Sequence, residues 1–166
     1  MFILFLIAAA VAVVSTVMVI TRLDAVHALL NLIVSLLSIA VIFFLLGAPF
    51  VAALEVIIYA GAIMVLFIFV VMMLNLGPVA TEQESRWLRP RMWVGPAILA
   101  GVLTLELFYV LSGVQGPESM GMVPPKEVSR SLFGPYLLAV ELASVLLMAG
   151  LVGAYHLGRE WRSKRP

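Results

Sequence analysis

The chain has 166 residues, of which 64% are hydrophobic and 11% are charged, and its formal net charge is +1. A mean hydropathy of +1.18 is too high for a soluble protein with a single apolar core, and the near-neutral charge without a basic stripe argues against nucleic-acid binding. The chain has no cysteine, which excludes disulfides, thiolate-ligated clusters and a cysteine nucleophile. These features predict an all-α integral membrane protein.

Five apolar runs are long enough to cross about 30 Å of hydrocarbon at about 1.5 Å per residue. The first run lacks the basic start and the cleavage site of a signal peptide, so we expect it to remain in the mature protein. Short connections join the first three runs, which should therefore pack as antiparallel neighbours. The runs predict five transmembrane helices in one membrane domain over 1–166, at about 1–20, 26–46, 50–76, 91–112 and 136–157.

Two longer connections follow the third and fourth predicted helices, at 77–90 and 113–135. The second is rich in glycine and proline, so we expect an irregular or partner-contacting segment there.

The basic residues predict the orientation of the helices in the membrane, because cytoplasmic loops carry an excess of Lys and Arg. An external amino terminus and a cytoplasmic carboxyl terminus leave only Lys126 and Arg130 outside. The remaining basic residues then fall on the cytoplasmic side: Arg22, Arg86, Arg89, Arg91, Arg159, Arg162, Lys164 and Arg165.

A polar stripe runs along the second predicted helix, formed by His27, Asn31, Ser35 and Ser38. Spacings of four, four and three residues place these side chains on one helical face. The stripe has two interpretations. It lines a water path, or it makes hydrogen bonds between helices, each of which contributes about 0.6 kcal/mol inside a membrane.

Three carboxylates lie within the last three predicted helices: Glu55, Glu106 and Glu141. Each is about 9 Å from the predicted outer end of its helix. One interpretation is a group of proton-accessible carboxylates, because ionisable groups in membranes usually face the bundle interior or a water-filled cavity. The other is snorkelling towards the surface or pairing with a neighbouring subunit.

The third predicted helix, LEVIIYAGAIMVLFIFVVMMLNL at 54–76, carries the most informative residues. A glutamate in hydrocarbon costs about 2.5 to 3.5 kcal/mol and a glycine inside a helix costs about 1 kcal/mol relative to alanine, so neither stabilises the helix. Gly61 lies between two alanines, and such a backbone deforms easily. Adding or removing a π-bulge in such a backbone would turn the following half of the helix by about 100°.

The segment EVIIYAGAIMVLF at 55–67 closely resembles the third-helix signature of the J subunit family of bacterial respiratory complex I, equivalent to mitochondrial chain 6. Chain length, the five predicted helices and their orientation are also similar to that family. The resemblance implies a membrane-arm subunit without redox groups in a proton-pumping NADH:quinone oxidoreductase of the bacterial inner membrane. In that family the third helix switches between π-bulged and α-helical forms and thereby opens and closes a water path, so the resemblance predicts a π-bulge near Tyr59 to Val65.

The resemblance also implies roles for individual residues and for partners. Tyr59 and Gly61 would lie at the bulge, and Val65 would be an apolar plug in the water path; Glu55 belongs to the matched segment. The sequence lacks phosphate loops, dinucleotide-binding glycines and zinc-ligand spacings, so the chain itself should bind no cofactor or metal. The resemblance implies that FMN, iron–sulfur clusters and quinone are held by partner subunits. The expected partners are the K-type, A-type and quinone-site H-type subunits, the antiporter-like subunits and membrane lipid.

Two other functions are compatible with the residues. The chain would serve a cation/proton antiporter complex as an accessory subunit, or it would be a structural scaffold for larger membrane partners. Flavin and iron–sulfur subunits in the purified complex would exclude the antiporter. Unchanged pumping after a bulky replacement of Gly61 would favour the scaffold.

Overall fold

A computed structural model of the chain describes residues 2–22, 25–73, 90–112 and 121–163, and this part of the chain contains helices and no strands. Five of its helices are long and apolar enough to cross a membrane, which confirms the number of spans predicted: Phe2–Thr21, Val26–Leu45, Pro49–Val71, Trp93–Leu111 and Leu137–Gly158. The orientation of the chain stays a prediction. Arg86, Arg89, Lys164, Arg165 and the loop at 77–89 lie outside the described residues.

The helices differ from their predicted bounds mainly in the last span, which continues to residue 163 rather than ending near 157. The third predicted helix consists of three consecutive pieces, described up to residue 73 of the 76 predicted and together called the third span. In chain order the elements are α1 (Phe2–Thr21), α2 (Ala25–Leu45), α3 (Pro49–Leu54), a π-helical segment (Glu55–Ile63), α4 (Met64–Met73), α5 (Pro90–Leu111), α6 (Pro125–Leu132) and α7 (Leu137–Ser163).

The chain divides into two compact units, Met1–Val123 and Pro124–Pro166. In the first unit, α2 lies at the centre and contacts α1, all three pieces of the third span, and α5. The apolar core of this unit lies where α1, α2 and α5 meet. Its buried members are Ala8, Val11, Val34, Val41, Leu45, Leu103 and Val110.

A glycine turn joins α2 to the third span. Gly47 has a φ of 81°, which a residue without a Cβ adopts at little cost. The Gly47 amide bonds to the Phe44 carbonyl and the Ala48 amide bonds to the Phe43 carbonyl, which is the Schellman arrangement that ends a helix. Pro49 then starts α3, where its missing N–H costs nothing. The predicted antiparallel hairpin of α2 and the third span follows from this turn.

The second unit begins with a short helix that the sequence analysis did not predict. Residues 125–132 of the connection predicted to be irregular form α6, which begins at Pro125, a residue whose fixed φ suits the first helical position. A turn at 133–136 leads into α7. A Cβ at Gly134 would lie 2.6 Å from the Arg130 carbonyl oxygen, so this turn requires glycine.

Candidate functional site

The π-helical segment at Glu55–Ile63 interrupts an otherwise α-helical third span. At its start the Glu55 amide still bonds to Val51, four residues back, and also approaches the Ala52 carbonyl. At its end the Met64 amide bonds to the Tyr59 carbonyl, five residues back, and to the Gly61 carbonyl. The segment therefore has wider turns than its neighbours, and α-helical hydrogen bonding resumes beyond Met64.

Gly61 lies where the wider turn brings backbone atoms together. A Cβ built on Gly61 would be 3.1 Å from the carbonyl oxygen of Val56, five residues earlier. That distance is shorter than ordinary van der Waals contact, so any side chain at this position requires a shift of the backbone. The π-helical geometry thus favours glycine here for a steric reason.

Tyr59 and Val65 face away from the rest of the chain. Tyr59 is 48% exposed and Val65 is 61% exposed, whereas Met64, the first residue of α4, is 4% exposed. The junction of the two helical forms is therefore buried at Met64. Tyr59 and Val65 are available to whatever surrounds the chain in its assembly.

A cavity of about 370 Å³ lies beside the beginning of the π-helical segment, between α2, α3 and α5. Val56 forms part of its wall on the third span, and Thr104 is the polar member of the lining. The remaining lining residues are apolar: Val34, Leu37, Ala40, Val41, Phe44, Pro49, Ala52, Ala53, Ala100, Leu103 and Leu107. Space of this kind lets neighbouring side chains move without a clash.

The polar stripe of α2 is buried, with His27, Asn31, Ser35 and Ser38 at most 4% exposed. Ser35 faces α1, where its hydroxyl lies 2.9 Å from that of Thr16. Most of the other bonds stay within α2: Asn31 Nδ2 donates to the His27 carbonyl at 2.8 Å, and Ser38 Oγ donates to the Ser35 carbonyl at 2.7 Å. Ser35 thus joins the stripe to α1.

His27 lies against a residue that the sequence analysis did not single out. Its ring meets the ring of Trp93 edge-on, with 5.9 Å between centroids, so the start of α2 packs on the start of α5. Ser15 and Thr16 on α1 were also missed. Two adjacent hydroxyl residues in the middle of a long apolar helix are the signal that would have identified them.

The structure gives the three predicted carboxylates three different surroundings. Glu55 is partly exposed at the start of the π-helical segment, and Glu141 is exposed on α7. Glu106 is only 5% exposed, on the face of α5 that joins the apolar core. Among the described residues, no three His, Asp or Glu side chains form a group that would hold a metal ion.

The spans and the polar groups inside them define a class of protein, the multi-pass helical membrane subunit with an irregular third span. The model of the family described as NADH-ubiquinone/plastoquinone oxidoreductase chain 6 matches residues 15–157. The chain therefore belongs to this family and is a membrane subunit of NADH-quinone oxidoreductase, respiratory complex I.

Bacterial relatives agree with this family. The chain is 61% identical over 158 residues to an NADH-quinone oxidoreductase subunit J from Pseudomonas aeruginosa, covering 94% of this chain and 95% of that protein. It is 55% identical over 160 residues to the Escherichia coli subunit J, covering 96% and 87% of the two chains. A Buchnera aphidicola subunit J is 51% identical over 151 residues, covering 90% and 93%.

Proposed function

We propose that the third span of this chain works as a water gate that couples quinone reduction to proton pumping in the assembled oxidoreductase. The π-helical segment at Glu55–Ile63 carries the proposal, because such segments are rare and concentrate at functional sites. In the proposed cycle the span alternates between this form and a continuous α-helix. Loss of the extra residue turns one half of the span by about 100° relative to the other.

Val65 is the plug in this mechanism. It is 61% exposed and lies two residues beyond the π-helical segment, so a change in that segment redirects its side chain. An apolar side chain in a narrow passage excludes water, and turning it away lets water enter. Such a gate requires no titratable group of its own. We place Tyr59 and Gly61 at the hinge and include Glu55 as a proton-accessible carboxylate beside it.

The surroundings of the π-helical segment leave room for it to change to the α-helical form. Gly61 accommodates the close carbonyl of Val56, and the cavity beside Val56 leaves room for side chains when the backbone changes form.

We further propose the assembly in which this gate works. The bacterial relatives favour the inner membrane as its location. We expect the K-type, A-type and H-type subunits and the antiporter-like subunits as neighbours, with membrane lipid around them. FMN, iron–sulfur clusters and quinone are assigned to partner subunits, since a chain without cysteine cannot ligate an iron–sulfur cluster through thiolates.

The proposal is tested with the assembled enzyme in proteoliposomes, where NADH:quinone turnover and proton pumping are recorded together. Gly61→Val places a branched side chain against the Val56 carbonyl, so both activities should fall while the complex still assembles. Gly101→Val is the matched control, because nothing lies within 4 Å of a Cβ built at Gly101. If both activities of the Gly61 variant equal those of the control, the chain is a scaffold rather than a gate.

A further inference from the structure

Glu106 is buried in the apolar core of the first unit. It is 5% exposed, and no described residue forms a hydrogen bond with either of its carboxylate oxygens. Its neighbours on the same face of α5 are Leu103 and Val110, three residues before it and four residues after it. Both neighbours belong to the core where α1, α2 and α5 meet.

The other two helices of this core, α1 and α2, each place a buried hydroxyl on the face that meets the core. On α2, Ser38 lies on the face that carries Val34 and Val41, and it is fully buried. On α1, Ser15 lies on the face of Ala8 and Val11, is fully buried, and has a hydroxyl without a partner among the described residues. Each of the three helices therefore contributes a buried polar side chain to this interface.

Two contacts between helices show how far along the helix axes these polar groups lie. Because the rings of His27 and Trp93 touch, α2 and α5 have a common reference level. Ser38 lies eleven residues beyond His27 and Glu106 lies thirteen beyond Trp93, which places them about 16 and 20 Å along the two helices. Glu106 and Ser38 are thus nearly level with each other.

Ser15 lies about one helical turn short of Ser38. Ser35 Oγ lies 2.9 Å from Thr16 Oγ1 and 3.3 Å from the Ala12 carbonyl oxygen, so Ser35 is level with the turn of α1 that contains Ser15. Ser38 is one helical turn further along α2 in the direction of Glu106. The hydroxyls of Ser15 and Ser38 therefore lie at successive levels of the bundle, and Ser38 is the nearer of the two to the level of the Glu106 carboxyl group.

A carboxylate ion buried without a partner is far more costly than a neutral acid in the same place. The α1 helix has no titratable side chain and α2 has only His27, about 20 Å below, so neither helix supplies a cation at this level. A neutral acid still requires an acceptor for its O–H and a donor for its C=O. Water supplies both, and buried water typically makes about three such bonds to polar groups that lack partners.

We infer that the core of α1, α2 and α5 is an internal water-binding site, with Ser15, Ser38 and Glu106 as its polar ligands and Glu106 as an exchangeable proton donor. Ser38 accepts through its free lone pairs, because its own proton is donated to the Ser35 carbonyl. In the exchange, a proton leaves the carboxyl oxygen for a water oxygen while a second water proton returns to the carboxylate. The occupant is water rather than a partner side chain, because a residue 5% exposed leaves no path for a larger group.

This site is separate from the proposed gate. Val41 and Leu103 belong both to the core and to the lining of the cavity beside the π-helical segment. Glu106, Ser38 and Ser15 do not line that cavity, and apolar side chains make up most of its lining.

A cryo-EM map of the unmodified, assembled oxidoreductase at a resolution that shows ordered water tests the site directly. The expected result is water density at hydrogen-bonding distance from the Glu106 carboxyl group and from the hydroxyl of Ser38 or Ser15. Close packing of side chains around the carboxyl group, with no density between it and either hydroxyl, would overturn the inference. This map requires no variant, so a failure of assembly cannot affect the result.

Infrared difference spectroscopy tests whether Glu106 is protonated and whether its proton exchanges with water. The spectrum of the unmodified enzyme minus that of Glu106→Gln should contain the C=O band of a protonated acid, and this band should shift in D₂O as water exchanges the proton. Glu127→Gln on the exposed α6 is the matched control and should remove only an ionised carboxylate band. An acid band that is absent from the Glu106 difference spectrum, or one that never shifts in D₂O, contradicts the inference.

Discussion

The Cα atom of Gly61 faces the backbone carbonyl of Val56, so closely that an added Cβ would lie 3.1 Å from that oxygen. The two residues are five apart, the spacing that one π-helical turn brings together. The contact therefore belongs to the π-helical form of the third span. A substitution at Gly61 acts on the balance between the two forms as well as on the stability of the helix.

Gly61→Ala should shift the third span towards the continuous α-helix. Alanine stabilises an α-helix by about 1 kcal/mol relative to glycine, while its Cβ strains the π-helical form, so the ratio of the two forms should change about fivefold or more. Classification of cryo-EM particles of the assembled enzyme measures this ratio. Gly101→Ala, which has open space around the new methyl group, should leave it unchanged. An unaltered ratio in the Gly61 variant would show that this contact does not control the switch.

Val65→Thr should partly uncouple proton pumping from quinone reduction. Threonine has almost the shape of valine but adds a hydroxyl, which lets water persist in a passage that valine keeps dry. We expect NADH:quinone turnover to be maintained while the number of protons pumped per electron falls. Simultaneous recording of both activities in proteoliposomes gives that number.

The control for this experiment is Val70→Thr, which adds the same hydroxyl to another exposed valine of α4. Position 70 lies further from the π-helical segment than position 65, so we expect normal coupling in this variant. Equal loss of coupling in both variants would indicate a general effect of polarity in α4. Normal coupling in both variants would show that Val65 is not part of the gate.

Glu55→Gln tests whether the carboxylate beside the π-helical segment takes part in proton transfer. Glutamine keeps the size and polarity of the side chain but cannot exchange a proton, so pumping should fall severalfold with assembly intact if Glu55 is a proton carrier. Glu127→Gln controls for the loss of one carboxylate elsewhere. Unchanged pumping in the Glu55 variant would show that this residue has only a structural role.

The sequence predicts the five spans well, because an apolar run of about twenty residues has few alternatives to a membrane helix. It also locates the turn at Gly47 and Pro49, where local chemistry determines the backbone. The start of α6 at Pro125 was missed because the same prolines and glycines that mark loops also start helices. Local rules thus predict the elements better than their exact ends.

The surroundings of the polar groups were harder to predict. Glu55, Glu106 and Glu141 have the same predicted distance from the outer ends of their helices, yet among the three only Glu106 is buried. A helix that is apolar on every side gives no periodic signal for the face that meets its neighbours. Burial of Glu106 depends on how α5 packs against α1 and α2, and that packing becomes visible only in the structure.

Ser35→Ala separates the two interpretations of the polar stripe. The structure gives the Ser35 hydroxyl a partner on α1, so its removal should cost about 0.6 kcal/mol and shorten the half-life of the assembled enzyme on heating about threefold at most. Proton pumping per electron should stay normal if the stripe joins helices. Ser144→Ala is the matched control, since that exposed hydroxyl bonds within its own helix at 2.8 Å. Reduced pumping in the Ser35 variant, at unchanged half-life, would instead identify the stripe as a water path.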